Sequence, residues 1–189
     1  MTPTEAAAVL GVDVSFDGNY RERLWSLWHG DASAILRDLL GRARIAFIND
    51  RDVALVLGIE LDATDVLERR RAAARAAFAA FPRLQAIYST LRDVRDTSTQ
   101  ELSAALFTRH REFMSRTYSL HTIVDRIGSG DAFAAGVLHG IAAGDRDQET
   151  LELGAAAAAL KHSVPGDFNL VGLEEVEHLL RARGSDIRR

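Results

Sequence analysis

The chain has 189 residues, and 23 basic against 27 acidic side chains leave a formal charge of −4; 47% hydrophobic and 26% charged residues suit one domain that buries a core rather than a disordered chain. Cysteine is absent, which excludes disulfide scaffolds, thiolate zinc sites and cysteine nucleophiles and leaves the cytoplasm as the expected compartment. Lys161 is the only lysine, the arginines lie scattered among acids, and no apolar run approaches the ~18 residues of a membrane span, so neither nucleic acid nor a membrane is an expected partner.

In chain order, the apolar spacing switches between a period of two and one near 3.6, the alternation of an α/β domain with a largely parallel sheet. A short helical opening precedes a strand over 12–16, which runs into the polar loop Asp17-Gly18-Asn19-Tyr20-Arg21. Residues 33–40 read as a helix ended by Gly41, residues 45–48 as a short buried strand, and Asn49 or Asp50 as the cap of a helix over 53–57 stopped by Gly58. A long helix rich in alanine and arginine is expected over 64–80, then a strand over 84–89 and an exposed polar loop over 92–99. Between 102 and 124 the pattern is weak, although Tyr118, Leu120, Thr122 and Val124 keep strand spacing. A glycine-rich turn at 128–130 leads into a helix over 131–143; helices over 147–162 and 173–183 follow, separated by the loop Ser163-Val164-Pro165-Gly166-Asp167. The alanine-rich stretches read as helices suited to close packing rather than as low complexity.

Several catalytic patterns fail on inspection. Lys161 follows leucine rather than glycine, which removes a phosphate-binding P-loop; none of the six histidines is followed by glutamate, which removes a zincin; and no Gly-x-Ser-x-Gly elbow occurs. Each histidine reads as core or surface filling, with His162 the one whose position allows a role. Trp25 and Trp28, at helical spacing, read as core.

The informative stretch is 124–136, Val-Asp-Arg-Ile-Gly-Ser-Gly-Asp-Ala-Phe-Ala-Ala-Gly, which follows a strand and opens a helix. Gly128 and Gly130 let backbone N–H groups close on an anion at the positive end of that helix, a setting for phosphate oxygens. Phe133 stands where a dinucleotide fingerprint needs glycine, which weakens a Rossmann reading. Asp131 places a carboxylate beside the anion, where it would repel a nucleotide unless a sugar hydroxyl and a metal lay between them. Such a geometry suits phosphoryl transfer, with the carboxylate orienting a hydroxyl and finally accepting its proton. The alternative is a first-turn aspartate that steadies its helix by ~0.3–1 kcal/mol.

The pattern Asp125-x-x-Gly-x-Gly-Asp-x-Phe-x-x-Gly136 resembles the signature of the ribokinase-like (PfkB) sugar kinases. The resemblance implies a ribokinase-like α/β fold, with ATP and Mg2+ as phosphoryl donor and metal. It implies Asp131 as the base toward the sugar hydroxyl, and the amides of Gly128, Ser129 and Gly130 as an anion hole. Asn49-Asp50-Arg51-Asp52 is similar to the family's Asn-x-x-Glu motif, tied to magnesium and phosphate, with Asp52 one methylene shorter than glutamate. Three segments resemble the 2-keto-3-deoxygluconate kinase branch and extend the likeness over nearly the whole chain: 16–25, the Asp125-Arg126-Ile127 opening, and 160–167. They imply a sugar-acid substrate bound by Asn19, Tyr20, Arg21, Asp131 and Asp167, with Asn19 and Arg21 between the sugar acid and the nucleotide phosphates. A guanidinium suits that place because it binds carboxylate or phosphate bidentately. Thr90, Leu91, Arg92 and Asp93 are expected to border the nucleotide, without the family's usual glycine spacing. Arg21 also reads as a surface arginine, and Asp167 as ordinary turn chemistry.

Kinases of this family carry an earlier part with the opening strands of the sheet, a small β lid and most of the sugar-holding groups. The chain resembles the later, nucleotide-binding portion, read as a single domain over 1–189. Missing strands would leave an unpaired edge and exposed apolar surface, so self-association, or a partner supplying the missing part, is expected.

Overall fold

The computed structural model describes residues 2–27, 30–94, 100–121 and 123–182. They divide into two compact units: residues 1–89 with 107–111, and residues 90–106 with 112–189.

The first unit carries a parallel arrangement. Helix α1 (Pro3–Leu10) precedes strand β1 (Ser15–Asp17), which pairs in parallel with β2 (Ile45–Phe47); β2 pairs in parallel with the first residues of β3 (Ala86–Val94). The short α2 (Glu22–Trp25) and α3 (Ala32–Arg42) lie between β1 and β2. Helix α4 (Asp50–Leu57) and the longer α5 (Val66–Ala80) lead from β2 to β3. Asp31, Asn49 and Asp65 cap α3, α4 and α5, each accepting first-turn amides, so three aspartate or asparagine side chains set where those helices start. The C-terminal carbonyls of α5 and the turn after it are gathered by Arg109, which donates to Phe78, Phe81, Pro82 and Leu84 at 2.8–3.2 Å. Leu40, Ala46, Ile48, Val53, Val56, Ala77 and Ile87 are buried in this unit. Strand β1 ends the strand order, and Val9, Leu10 and Val12 near it are exposed at 77%, 75% and 55%.

In the second unit β4 (Gln100–Thr108) pairs antiparallel with β6 (Tyr118–Leu120), with Gln100 opposite Leu120, and β5 (Glu112–Met114) follows β4 in the strand order. Three helices complete it, α6 (Ser129–Ala143), α7 (Asp147–Lys161) and α8 (Leu173–Arg181). Every residue of α7 from Leu153 to Lys161 is buried. That explains its composition, since a helix buried all round cannot show an amphipathic stripe. Its alanines and Gly154 let α6 approach so closely that a Cβ on Gly154 would stand 2.5 Å from Val137 Cγ2, and one on Gly136 2.9 Å from Gly154 Cα.

The fold is thus the expected α/β arrangement, with a mixed sheet: parallel pairs in the first unit and an antiparallel pair in the second. Several boundaries differ from the sequence reading. The expected 12–16 strand begins only at Ser15, and α3 continues through Gly41 to Arg42. The loop expected from residue 92 is still strand through Val94, because ladder pairing overrides the polar composition of Arg92 and Asp93. Val124 lies outside any strand, its amide instead donating to the His162 carbonyl at 2.9 Å. Helix α6 opens at Ser129, so Gly130 lies inside its first turn. Trp28, the 95–99 stretch, Thr122 and residue 183 lie outside the described residues.

Candidate functional site

The residues singled out from the sequence form two clusters, one in each unit. In the first unit the cluster lies at the C-terminal ends of parallel strands, the edge where open α/β sheets bind ligands. Asp17 ends β1, and its Oδ1 accepts the Asn19 amide at 3.1 Å, which helps to hold Asn19 at φ 36°. Few side chains other than asparagine tolerate that left-handed conformation. Tyr20 stacks on Trp25 with ring centroids 6.5 Å apart, and Arg21 donates to the Tyr20 carbonyl at 3.2 Å. Arg21 is exposed, its guanidinium making only this local bond among those described.

Beyond β2, Asn49 and Asp52 close a reciprocal cap on α4. Asn49 Oδ1 accepts the amides of Arg51 and Asp52 at 2.8 and 3.3 Å, and the Asn49 amide donates to Asp52 Oδ2 at 2.8 Å. Asp52 is 9% exposed. Burial pushes its carboxyl above the ordinary value; the Asn49 amide opposes the shift, Asp17 adds to it and Arg21 opposes it. Gly18 lies so close that a Cβ there would stand 3.1 Å from Asp52 Cγ. The sequence thus brings Asp17, Arg21 and Asp52 into one electrostatic neighbourhood. Among the described residues no group of three or more His, Asp or Glu is placed to hold a metal ion. Two carboxylates, one engaged in a cap, fit a magnesium ion carried mainly by a polyphosphate better than a protein cage.

The second cluster surrounds the start of α6. Gly128 caps the helix at φ 72° and ψ 2°, and its carbonyl accepts the Ala132 amide at 2.9 Å. A Cβ on Gly128 would stand 2.5 Å from the Asp167 carbonyl oxygen and 3.2 Å from Lys161 Cε, so both its conformation and its neighbours demand glycine. Ser129 is buried; its hydroxyl donates to the Arg126 carbonyl at 3.0 Å and accepts from Arg92 Nη2 at 2.7 Å. Its amide makes a long 3.4 Å bond to the same carbonyl. Gly130 has nothing within 4 Å of a would-be Cβ, leaving open space above the first turn, where helix amides lack intrahelical partners. Asp131 is the third residue of α6 and exposed. The opening of α6 therefore offers backbone donors, the helix dipole and a free-standing carboxylate in one turn, the parts that phosphoryl transfer to a hydroxyl requires.

Asp125 underpins this turn. Its Oδ1 accepts the Ile127 amide at 3.0 Å and its Oδ2 the Gly166 amide at 2.9 Å, and these bonds hold its carboxyl below the usual carboxylate range. Thr90, Leu91, Arg92 and Asp93 lie on β3 rather than in a loop, and of these Arg92 reaches the α6 start through Ser129. The Asp167 side chain is exposed, while its backbone carbonyl packs against Gly128.

Residues 97–171 match the profile described as pfkB family carbohydrate kinase. Over that stretch the chain is similar to the pfkB family carbohydrate kinases. It is 31% identical over its full length to a 2-dehydro-3-deoxygalactonokinase of Haloferax volcanii, covering 52% of that protein. Its structure is similar to that of a PfkB family carbohydrate kinase from Listeria grayi, with TM-score 0.81, 32% identity, 93% of this chain and 52% of the other. A 2-dehydro-3-deoxygluconokinase from Thermotoga maritima gives TM-score 0.81 at 31% identity, covering 95% of this chain and 54% of the other. The chain spans about half the length of the relatives it matches.

Two features of the site escaped the PfkB reading of the sequence. Lys161, set aside as no P-loop lysine, is wholly buried beside Gly128, and Arg126 receives Ser129 through its carbonyl. A lone lysine at the end of an alanine-rich helix was the available signal for the first.

Proposed function

We propose that this chain carries the phosphotransfer portion of a sugar-acid kinase that uses ATP with Mg2+ and acts on a 2-keto-3-deoxy sugar acid, 2-keto-3-deoxygluconate in particular. The observation that carries the reading is the α6 opening, where the left-handed Gly128 starts a helix whose third residue is the exposed Asp131. Asp131 accepts the proton of the attacking hydroxyl, and the amides at Gly128, Ser129 and Gly130 hold oxygens of the transferred phosphoryl group. Arg92, bonded to the Ser129 hydroxyl, adds positive charge on the same turn. Asn19, Tyr20 and Arg21 are assigned to the sugar acid and phosphates, Thr90 to Asp93 to the nucleotide, and Asp167 to the substrate. Asp52 is assigned to the metal-nucleotide, the ion's chemistry being to neutralise phosphate charge. Two relatives act, by their names, on 2-keto-3-deoxy sugar acids, which supports the substrate class.

The half-length match favours a second reading, in which the chain binds nucleotide and turns over only beside a separate polypeptide; the exposed edge near β1 would take that polypeptide or a second copy. The test measures ADP release with ATP, Mg2+ and 2-keto-3-deoxygluconate, beside 2-keto-3-deoxygalactonate, gluconate, fructose, ribose and a nucleoside. Acceptor-dependent turnover that disappears in Asp131→Asn, with ATP affinity kept, is the expected result. Retention of most of the rate in that variant sinks the assignment of Asp131. ATP binding without turnover supports the second reading.

A further inference from the structure

Lys161 is the chain's only lysine and is 0% exposed at the last residue of α7. A buried ammonium is costly unless its charge and donors are met. Here Nζ donates to the carbonyls of Gly166 at 2.7 Å and Val164 at 3.1 Å, drawing the 163–167 loop around it. The amide of the same Gly166 donates to Asp125 Oδ2 at 2.9 Å, and Asp125 feels the lysine's charge. The lysine stem lies 3.2 Å from the place a Gly128 Cβ would take, and the Asp167 carbonyl presses on Gly128 from the same loop. The next residue, His162, accepts the amides of Val124 and Asp125 on its carbonyl at 2.9 and 3.3 Å. Two stretches distant in sequence are thus tied together around this lysine: residues 125–128, which hold the Asp125 turn and the start of α6, and the loop after α7.

We propose that Lys161 is a positioning residue for the α6 anion site: its ammonium, joining the carbonyls of Val164 and Gly166 in the loop whose Gly166 amide Asp125 accepts, holds the loop that seats Gly128 and thereby aims the amides at 128–130. The proposal rests on the phosphate-binding reading of that turn. The amine's donors are essential to the role, because an apolar side chain of the same length fills the space but leaves two converging carbonyls without a donor. An internal ammonium also fixes the turn before any ligand arrives, which lowers the ordering cost of gripping an anion.

The test compares the wild-type chain with Lys161→Met, neutral and similar in length, and Lys161→Ala, which leaves room for a small amine. Inorganic tripolyphosphate and ATP binding are measured by calorimetry, the amide signals of Gly128, Gly130 and Gly166 by NMR, and folding by thermal melts. The expected result is a folded Lys161→Met whose Gly128 and Gly166 amides shift and whose tripolyphosphate affinity falls about tenfold or more. Ethylammonium restores affinity and amide positions in Lys161→Ala and does nothing for Lys161→Met. Affinity within about twofold of wild type in both variants overturns the proposal, as does a loss that no amine rescues and that only follows the melting temperature. Absence of tripolyphosphate binding by the wild-type chain overturns the kinase reading. The ligand-free amide signals separate the two failures, since unmoved Gly128 and Gly166 amides in Lys161→Met overturn the positioning role whatever the wild type binds.

Discussion

The two glycines that open α6 should respond oppositely to the same added methyl group. In Gly128→Ala the residue must hold φ 72°, which costs an L-residue about 1–2 kcal/mol. The new Cβ also meets the Asp167 carbonyl oxygen at 2.5 Å, a distance that ordinary packing does not allow. That oxygen belongs to the backbone, so relief requires the loop after α7 to move, and overpacking of this kind typically costs about 1–3 kcal/mol. Together the terms predict a loss of about 2–5 kcal/mol, read as a lower urea midpoint with an unchanged slope. In Gly130→Ala the backbone is helical and nothing lies within 4 Å of the new Cβ, so the exchange should stabilise the helix by about 0.5–1 kcal/mol. Its methyl projects into the space assigned to phosphate oxygens, so affinity for ATP falls while stability rises. Far-UV urea titrations of both variants, paired with calorimetric ATP titration of Gly130→Ala, decide the matter. A Gly128→Ala protein within about 0.5 kcal/mol of wild type would refute the reasoning, as would a Gly130→Ala protein that binds ATP normally.

Three further outcomes follow from buried groups. Asp52→Asn keeps a carbonyl oxygen for the Asn49 amide and removes a buried charge whose ionisation burial disfavours. Because the folded-state pKa is raised, the wild type loses stability relative to the variant as pH rises above 3.8, so Asp52→Asn should be the more stable at pH 7 and equal near pH 3; urea midpoints at the two pH values check this. His162 is buried with Nδ1 on the Ala158 carbonyl, and burial first, then the charges of Arg92, Arg126 and Lys161, holds its imidazole below the ordinary value of 6.5. Its contribution is intact above pH 6.5 and is lost as pH falls toward the folded value, at up to about 1.4 kcal/mol per pH unit; His162→Gln should flatten that limb of the stability profile, and an unchanged slope would exclude His162 as its source. Gly154→Ala drives a methyl to 2.5 Å from Val137 Cγ2 between α6 and α7, and after the gain in helix propensity should still cost about 1–2 kcal/mol in equilibrium unfolding.

What the sequence discloses and what it hides divide along a physical line. The cap of α4 was legible to within Asn49 or Asp50, although the helix begins at Asp50 rather than 53, because such a cap needs only residues close in sequence. Gly128 was legible as a turn glycine before a helix, although that helix opens at Ser129, and the run from Asp125 to Gly136 resembles the family signature in one unbroken stretch. The extension of β3 through Arg92 and Asp93 was not, because strand identity there comes from ladder partners and not from local composition. Nor could spacing show that Arg92 would reach Ser129, 37 positions away, or that the amide of Gly166 would satisfy Asp125, 41 positions away.

Lys161 joins the two cases. Read locally, it is a basic residue in the last turn of a helix, where a cation is favourable and ordinarily exposed. Its burial follows from the packing around it, since α7 is enclosed on all sides and its last residue has no route to water. Once enclosed, the ammonium must find oxygens, and the loop after α7 supplies them with the carbonyls of Val164 and Gly166. The same loop then meets Gly128, which has no side chain to resist it. A charge that composition marks only as scarce thereby becomes the point at which the helix opening, the Asp125 turn and the loop fix one another.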